Sequence, residues 1–417
     1  MIKKLKVIIL NYAKKNHWFL VLLRRIKHIR GRINYLIYNI IFKTDAKLII
    51  FESFMGRSYA DSPKAIYENM VNDKKYGNYK FVWAFKKPNE KEKYFNNKNT
   101  ILIKYKSKEY YKYYSKAKYW ISNSRIPEYI KKRKDQVYIQ TWHGTPLKRL
   151  GFDIKIEGGN ALNSVKEIQN KYLTDAKRYN FMISPSKFCT KKFISAFNLK
   201  SLKKEDIVIE EGYPRNDFLF KYTKKDVIKI KKELNIPLNK KVILYAPTWR
   251  DNQHTSGVGY TYRLGIDFDK LKAKLSKDYI ILFRTHYFIS NSFDFDKYKD
   301  FIYDVSDYDD INHLYVISDL LITDYSSVFF DYANLKRPMI FYMYDLDIYK
   351  NKLRDFYIDL PELPGPIVKK EKDLIKEINN IDNYFNKYKT KYMEFNNRYN
   401  YLDDDKASKR VIERVIE

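Results

Sequence analysis

At 417 residues the chain exceeds what one compact core usually supports, so two domains of roughly 150 to 200 residues each are expected. Hydrophobic residues at 45% and aromatics at 17% exclude a disordered chain, 12 Gly and 12 Pro exclude collagen-like and low-complexity classes, and the single cysteine, Cys189, excludes an internal disulfide or a thiolate zinc cluster and fits a reducing cytoplasm. The 81 Lys and Arg against 50 Asp and Glu, a net charge of +31, point either to a polyanionic partner, whether nucleic acid, anionic lipid or a phosphate-rich substrate, or to a lysine-rich solvated surface spread along the whole chain.

The first 44 residues hold eleven Lys or Arg, and the first acid is Asp45. Their apolar runs, 17–23 and 33–42, fall short of the roughly 20 residues that a membrane-spanning helix needs. Leu22, Ile26, Ile29, Ile33, Ile37 and Ile40 recur at three- and four-residue steps, with Arg24, Arg25, His28, Arg30 and Arg32 largely on other faces. This pattern predicts a basic amphipathic helix that lies in the headgroup region of an anionic, cytoplasmic membrane surface. The same stripe would also serve a helix packed on the protein's own core. The charges continue through Arg32 and no small-residue cleavage site follows, which argues against a signal peptide.

From Ala46 onward, short runs rich in Ile, Val, Phe and Tyr alternate with longer Lys-rich stretches of helical character. The predicted strands are 46–51, 80–85, 118–122, 137–142, 181–184 and 207–210, then 241–246, 279–284, 301–304, 320–324 and 338–342. Strands separated by helices imply parallel sheets covered on both faces, hence two doubly wound α/β domains, 45–212 and 213–417, behind the segment 1–44. Gly212 and Pro214 punctuate the break. In such domains ligands bind outside the carboxyl ends of the strands. Neither a Walker-type loop nor a G-x-G-x-x-G fingerprint is present, so phosphate has to be held in another way.

The residues that suit that task sit at the ends of predicted strands. After 137–142 comes His143-Gly144-Thr145-Pro146-Leu147-Lys148, with a possible base, a turn glycine, and Thr145 and Pro146 placed to cap and open a helix whose free N–H groups face a phosphate. The plainer alternative is a capped helix beside a hydrogen-bonded histidine. Arg284-Thr285-His286 closes the strand 279–284 and offers a diphosphate clamp beside a second histidine. Arg215 could add a bidentate contact or serve only as an interdomain ion pair. Thr323-Asp324-Tyr325-Ser326-Ser327 supplies hydroxyls and backbone N–H groups at a helix start, as an anion cradle or a simple cap. Pro247-Thr248-Trp249-Arg250 is a similar loop that could face a nucleotide. His17, His28, His254 and His313 lack companion motifs and read as structural. Asp267 with Asp269 and Asp294 with Asp296 read as helix caps and first-turn acids. No His, Cys and carboxylate spacing suggests a metal site, and no cofactor is implied.

Taken together, the runs QTWHGTPLKRLGFD, GYPRNDFL, ILYAPTWRD, FRTH and SDLLITDYSSVFFDYANLKRPMIFYMYDL resemble the CDP-glycerol glycerophosphotransferase family of teichoic-acid synthesis, with ESFMGRSYADSPKAIYENM before them and RDFYIDLPELPGPIV after. The resemblance implies a GT-B-like pair of Rossmann-type domains facing a cleft, with the donor held mainly by the C-terminal one. It implies transfer of glycerol phosphate from CDP-glycerol, or a related CDP-alcohol, to a hydroxyl of a lipid-linked polymer or primer, releasing CMP. His143 matches the family's proposed general base and His286 its second essential histidine. Gly144, Thr145, Pro146, Leu147, Arg215, Pro247, Thr248, Arg284, Thr285, Ser326, Ser327 and Asp331 match donor-contacting positions. Asp355 departs from the pattern, since relatives often carry glycine there. The rival enzyme reading is a GT-B sugar transferase of capsule synthesis. A basic nucleic-acid-binding protein would call for a basic stripe with stacking aromatics, which the compact strand-end motifs argue against.

Overall fold

The computed structural model describes residues 17–156, 164–248, 254–255, 259–260, 265–285, 294–349 and 355–416. The first half carries β1 (Asp45–Glu52), β2 (Lys80–Phe85), β3 (Thr100–Lys104), β4 (Ala117–Ser122), β5 (Val137–Gln140), β6 (Phe181–Ser184) and β7 (Val208–Glu210). They form one all-parallel sheet in the order β3-β2-β1-β4-β5-β6-β7. The second half carries β8 (Lys241–Ala246), a hairpin of β9 (His254–Thr255) and β10 (Gly259–Tyr260), then β11 (Tyr279–Phe283), β12 (Ile302–Asp304), β13 (Leu320–Thr323), β14 (Met339–Tyr342) and β15 (Ile367–Val368). Its parallel sheet runs β12-β11-β8-β13-β14-β15. Chain order reverses between β1 and β4 in one sheet and between β8 and β13 in the other, and each reversal opens a crevice at the strand ends.

The apolar runs become strands because both faces of each sheet are covered. Along β1, Leu48 and Ile50 join one core with Val82, Ala84 and Trp120. Ile49 and Phe51, pointing the other way, join a second with Phe81, Trp83 and Ile121. The same alternation in β8 sends Val242 and Leu244 to one core and Ile243 and Tyr245 to another. The expected doubly wound α/β class is present in both halves. β3, β15 and the hairpin were not among the predicted strands. β3 is an edge strand whose Ile101 and Lys104 are exposed, and β15 is a single dipeptide, so neither carries a long buried run.

The last helix, Ala407–Val415, crosses back to the first sheet, where Val411, Ile412 and Val415 pack with Ile49 and Phe51. The Asp217 carboxylate accepts from the backbone N–H groups of Ala407 and Ser408, 3.0 Å each, and fixes that crossing. We therefore propose the division at 212/213 with one amendment, residues 407–416 belonging with the first unit.

The helix His17–Ile41 docks on the first unit through one face. Tyr35 is fully buried and donates to the Lys131 carbonyl at 2.5 Å, and Gly31 lies so close to Tyr129 that a Cβ would sit 2.7 Å from its ring. The stripe of Leu22, Ile26, Ile29, Ile33, Ile37 and Ile40 faces away and is 43 to 84% exposed. Packing on the protein's own core thus applies to the Gly31–Tyr35 face and not to the isoleucines. No helix among the described residues is long and apolar enough to cross a membrane.

Candidate active site

The two crevices face one another across a cleft of about 950 Å³. His143, Gly144, Thr145, Pro146 and Leu147 line it from the first half, and Pro247, Thr248, Arg284, Thr285, Ser326 and Ser327 from the second. Arg215 and Asp331 are not on its wall, and His286 lies outside the described residues.

Asn123, directly after β4, organises the first crevice. Its side-chain oxygen accepts from the Phe54 N–H at 2.8 Å, and its backbone carbonyl lies 2.9 Å from His143 Nδ1. A carbonyl can only accept, so the proton of the neutral ring is assigned to Nδ1 and the lone pair to Nε2. Trp142, held at φ +54°, stacks on the imidazole with centroids 4.3 Å apart. Burial among these groups lowers the His143 pKa below its ordinary 6.5, against the upward pull of the Asn123 carbonyl and of Asp61, and Arg215 lowers it further. The ring is still open to the cleft, and that access to water moderates the desolvation. The result is a base that is neutral near physiological pH.

The loop after His143 departs from expectation, because Thr145 and Pro146 do not open a helix. The chain runs on without helix and pairs with residues of the second half. Arg149 N–H donates to the Asp355 carbonyl at 3.0 Å, and Tyr357 N–H to the Leu147 carbonyl at 2.8 Å. Leu147 inserts into the second unit's core, and Arg149 Nε meets the Asp355 carboxylate at 2.8 Å. The backbone bonds satisfy groups that a helix would otherwise use. The ion pair uses a carboxylate that glycine at 355 would lack.

In the second crevice Asp324 ties two strand ends together. One carboxylate oxygen accepts from Thr248 N–H at 2.7 Å and from Tyr325 N–H at 2.6 Å. Arg284 lines the cleft, but its Nη1 is committed to the carbonyls of Val305, 2.9 Å, and Tyr308, 2.8 Å, so it braces the 305–308 loop as well as adding charge. Thr285 N–H donates to Ser306 Oγ at 3.1 Å. Ser327 stands at the cap position of the short helix Val328–Tyr332 without a side-chain capping bond, so simple capping does not account for it. Both Ser326 and Ser327 line the cleft.

Arg215 sits behind the wall. Its guanidinium meets Asp331 at 2.9 Å and Asp61 at 3.4 Å and lies over the Tyr213 ring, 4.2 Å from its centroid. Asp61 and Asp331 come from opposite halves, so of the two readings of Arg215 the structure displays the interdomain ion pair. Burial raises the Asp331 carboxyl pKa while Arg215 opposes the rise. Gly144 lies against this layer: a Cβ there would be 2.7 Å from Ser327 Oγ and 4.0 Å from Arg215 Nη2. Only glycine lets the His143 loop close on the Ser326–Ser327 turn.

The turn after β1 escaped the sequence reading. Phe54, Met55 and Gly56 take φ of +48°, +56° and +73°, and the turn places Arg57 and Ser58 on the cleft. Lys86, Lys87 and Lys91 join them from beyond the end of β2. Gly56 was the one local signal. With Lys148 and Arg284 these cations outnumber Glu90, Asp307 and Asp309 on the same walls, which makes the cleft attractive to phosphate. Among the described residues no group of His, Cys, Asp or Glu is placed to hold a metal ion. A neutral base beside an anion-attracting cleft suits phosphoryl transfer, where positioning and charge neutralisation do most of the work.

A family model described as CDP-Glycerol:Poly(glycerophosphate) glycerophosphotransferase matches residues 34–417. The teichoic acid poly(glycerol phosphate) polymerase of Staphylococcus epidermidis is 42% identical over 99% of this chain and 58% of its own length. The enzyme of the same name from Bacillus spizizenii is 39% identical over 91% of this chain and 96% of its own length. The chain thus spans little more than half of the first relative and nearly all of the second. The solved structure of the wall teichoic acid polymerase TagF matches with a TM-score of 0.83 at 41% identity, covering 95% of this chain and 96% of that one.

Proposed function

The chain belongs to the CDP-glycerol:poly(glycerophosphate) glycerophosphotransferase family, and from that premise we propose that it transfers glycerol phosphate from CDP-glycerol to a hydroxyl of a lipid-linked teichoic-acid acceptor, releasing CMP. The observation that carries this reading is His143, neutral and with its free nitrogen set by Asn123, on the wall of a cationic cleft. The donor diphosphate rests against the Ser326–Ser327 turn, which offers hydroxyls and backbone N–H groups, with the Pro247–Thr248 loop lining the same wall. The acceptor hydroxyl gives its proton to His143 Nε2 while its oxygen attacks the β-phosphorus in line. The bond from that phosphorus to the bridging oxygen breaks, and CMP leaves with the electron pair. Arg284 adds positive charge to the donor side, and His286 is assigned there by the resemblance alone.

The acceptor's lipid fixes where the reaction takes place. An exposed stripe of isoleucines with exposed Arg25, Arg30 and Arg32 beside it supports docking of helix His17–Ile41 on the anionic cytoplasmic leaflet. Each cation near such a surface contributes about 1 kcal/mol.

The test is incubation with CDP-glycerol, CDP-ribitol or UDP-sugars and a lipid-linked acceptor, with nucleotide release followed. CMP release from CDP-glycerol is expected. UDP or UMP release, with no CMP from either CDP donor, would transfer the protein to the sugar-transferase reading.

A further inference from the structure

We propose that Arg57 and Lys86 form an acceptor subsite that grips the phosphodiester next to the hydroxyl-bearing unit of a polyanionic acceptor. The proposal rests on the phosphotransfer reading above and names the substrate class of its acceptor side.

The two residues follow different strands and are brought together by a built turn. Gly56, at φ +73°, lies against the end of β2: a Cβ there would meet the Ala84 carbonyl oxygen at 3.0 Å and Lys86 N at 3.2 Å. Lys86 N–H donates to the Gly56 carbonyl at 2.6 Å, and Met55 N–H to Ser124 Oγ at 2.9 Å. Arg57 therefore emerges beside Lys86, and both line the cleft that holds His143. Phe54, at the start of the same turn, stands 6.4 Å ring to ring from the imidazole.

Charge distinguishes Lys86 from the lysines around it. Lys87 is neutralised by Glu90 at 2.7 Å and Lys91 by Asp309 at 2.6 Å. Among the described residues no carboxylate pairs with Lys86, whose ammonium pKa is lowered by partial desolvation and by the nearby Arg57 charge. Two cations held together on a cleft wall repel each other, and an anion placed between them relieves that repulsion. The wall decides which anion. The donor's proposed loops leave β8 and β13, whereas Arg57 and Lys86 follow β1 and β2 on the opposite side of the cleft. In-line attack brings the acceptor from the side away from the departing CMP. An alcohol-phosphate polymer carries its nearest phosphodiester one unit behind the attacking hydroxyl, so that charge falls on the first wall.

The experiment uses the full chain and a short soluble glycerol-phosphate oligomer, with a neutral sugar-terminated acceptor beside it. Lys86→Gln is expected to raise KM for the oligomer about tenfold, the scale of one charge-assisted hydrogen bond, while kcat, CDP-glycerol affinity and the KM of the neutral acceptor hold. Lys86→Arg should restore the oligomer KM. An unchanged oligomer KM overturns the proposal, as does a rise matched by lost CDP-glycerol affinity, which would place the pair on the donor. Calorimetric binding of the oligomer without donor reads the subsite apart from turnover. If wild-type protein released no CMP, the phosphotransfer reading would fail, yet oligomer affinity lost in Lys86→Gln would still support the subsite and unchanged affinity would still overturn it.

Discussion

His143 Nδ1 and the backbone carbonyl of Asn123, 2.9 Å apart, determine which nitrogen of the imidazole is left to act as a base. Asn123 is itself held through its side chain to Phe54 N–H at 2.8 Å, so the carbonyl's direction is fixed by the same turn that shapes the cleft. His143→Ala should lower kcat by about 100- to 10,000-fold, the usual loss of a general base, with the fold intact by circular dichroism. Near-wild-type CMP release from that variant would remove the base assignment. The pH profile adds a sign. A base acts when neutral, and the His143 pKa is lowered from 6.5, so the acidic limb of kcat/KM should fall below pH 6.5. A limb above that value would contradict the burial argument.

Gly144→Ala places a methyl group 2.7 Å from Ser327 Oγ, inside van der Waals contact. The Ser327 hydroxyl must then turn away or the two loops separate, and residue 144 must still hold a φ of +159°, which side-chain-bearing residues rarely adopt. Donor affinity and kcat should both fall, with a loss of about 1 to 3 kcal/mol typical of overpacking at a tight contact. Unchanged kinetics would mean that the contact between Gly144 and Ser327 yields without cost to the site.

Glu52 ends β1 in the interior, where its Oε2 accepts from Tyr110 Oη at 2.9 Å and Tyr114 Oη at 3.0 Å. Burial pushes its carboxyl pKa up to about 7 in spite of these bonds. The folded protein therefore holds this proton more tightly than the unfolded chain does. Stability should fall as pH rises from about 4.5 toward 7, by up to roughly 1.4 kcal/mol per pH unit, and level off above. Glu52→Gln keeps an acceptor for the two tyrosines and should flatten that slope. Urea unfolding across this range is the check, and identical slopes for the two proteins would contradict it.

The amphipathic helix calls for a substitution and not a truncation, because removing it would also strip Tyr35 from the first core. Ile29→Glu combined with Ile33→Glu changes only the exposed stripe. Flotation with anionic vesicles should fall sharply while turnover of a soluble acceptor persists. Added salt should weaken wild-type binding only in part, since charge is screened over roughly 8 Å at physiological ionic strength and apolar burial is not. Equal flotation of variant and wild type would place the isoleucines outside the membrane contact.

Strands buried on both faces, such as β1 and β8, were legible because their central residues form unbroken apolar runs. Edge strand β3 was not, since its exposed Ile101 and Lys104 look like the rest of a lysine-rich surface. The sequence marks the histidine loop but not its shape. Thr145 and Pro146 carry a helix-start signature, and only distant partners at 355 and 357 turn the segment into a strap across the two halves. Arg215 reads in sequence as either a ligand contact or an interdomain ion pair, and Asp331 as a ligand contact through the resemblance alone, because nothing local tells a buried ion pair from a contact on the cleft wall. Arg57 and Lys86 were hidden for a third reason. They belong to separate runs of sequence, and only the packing of Gly56 against the end of β2 sets them side by side.

The central claim is attack at phosphorus by an acceptor hydroxyl, with His143 as the base. It is tested most directly with CDP-glycerol radiolabelled at its β-phosphorus, incubated with a glycerol-phosphate acceptor, and the products separated. The account predicts that the label enters the acceptor together with glycerol, that the nucleotide product is unlabelled CMP, and that His143→Ala suppresses both. Label recovered in CDP would mean that the bond to carbon had broken instead, as in a sugar transferase, and would contradict it.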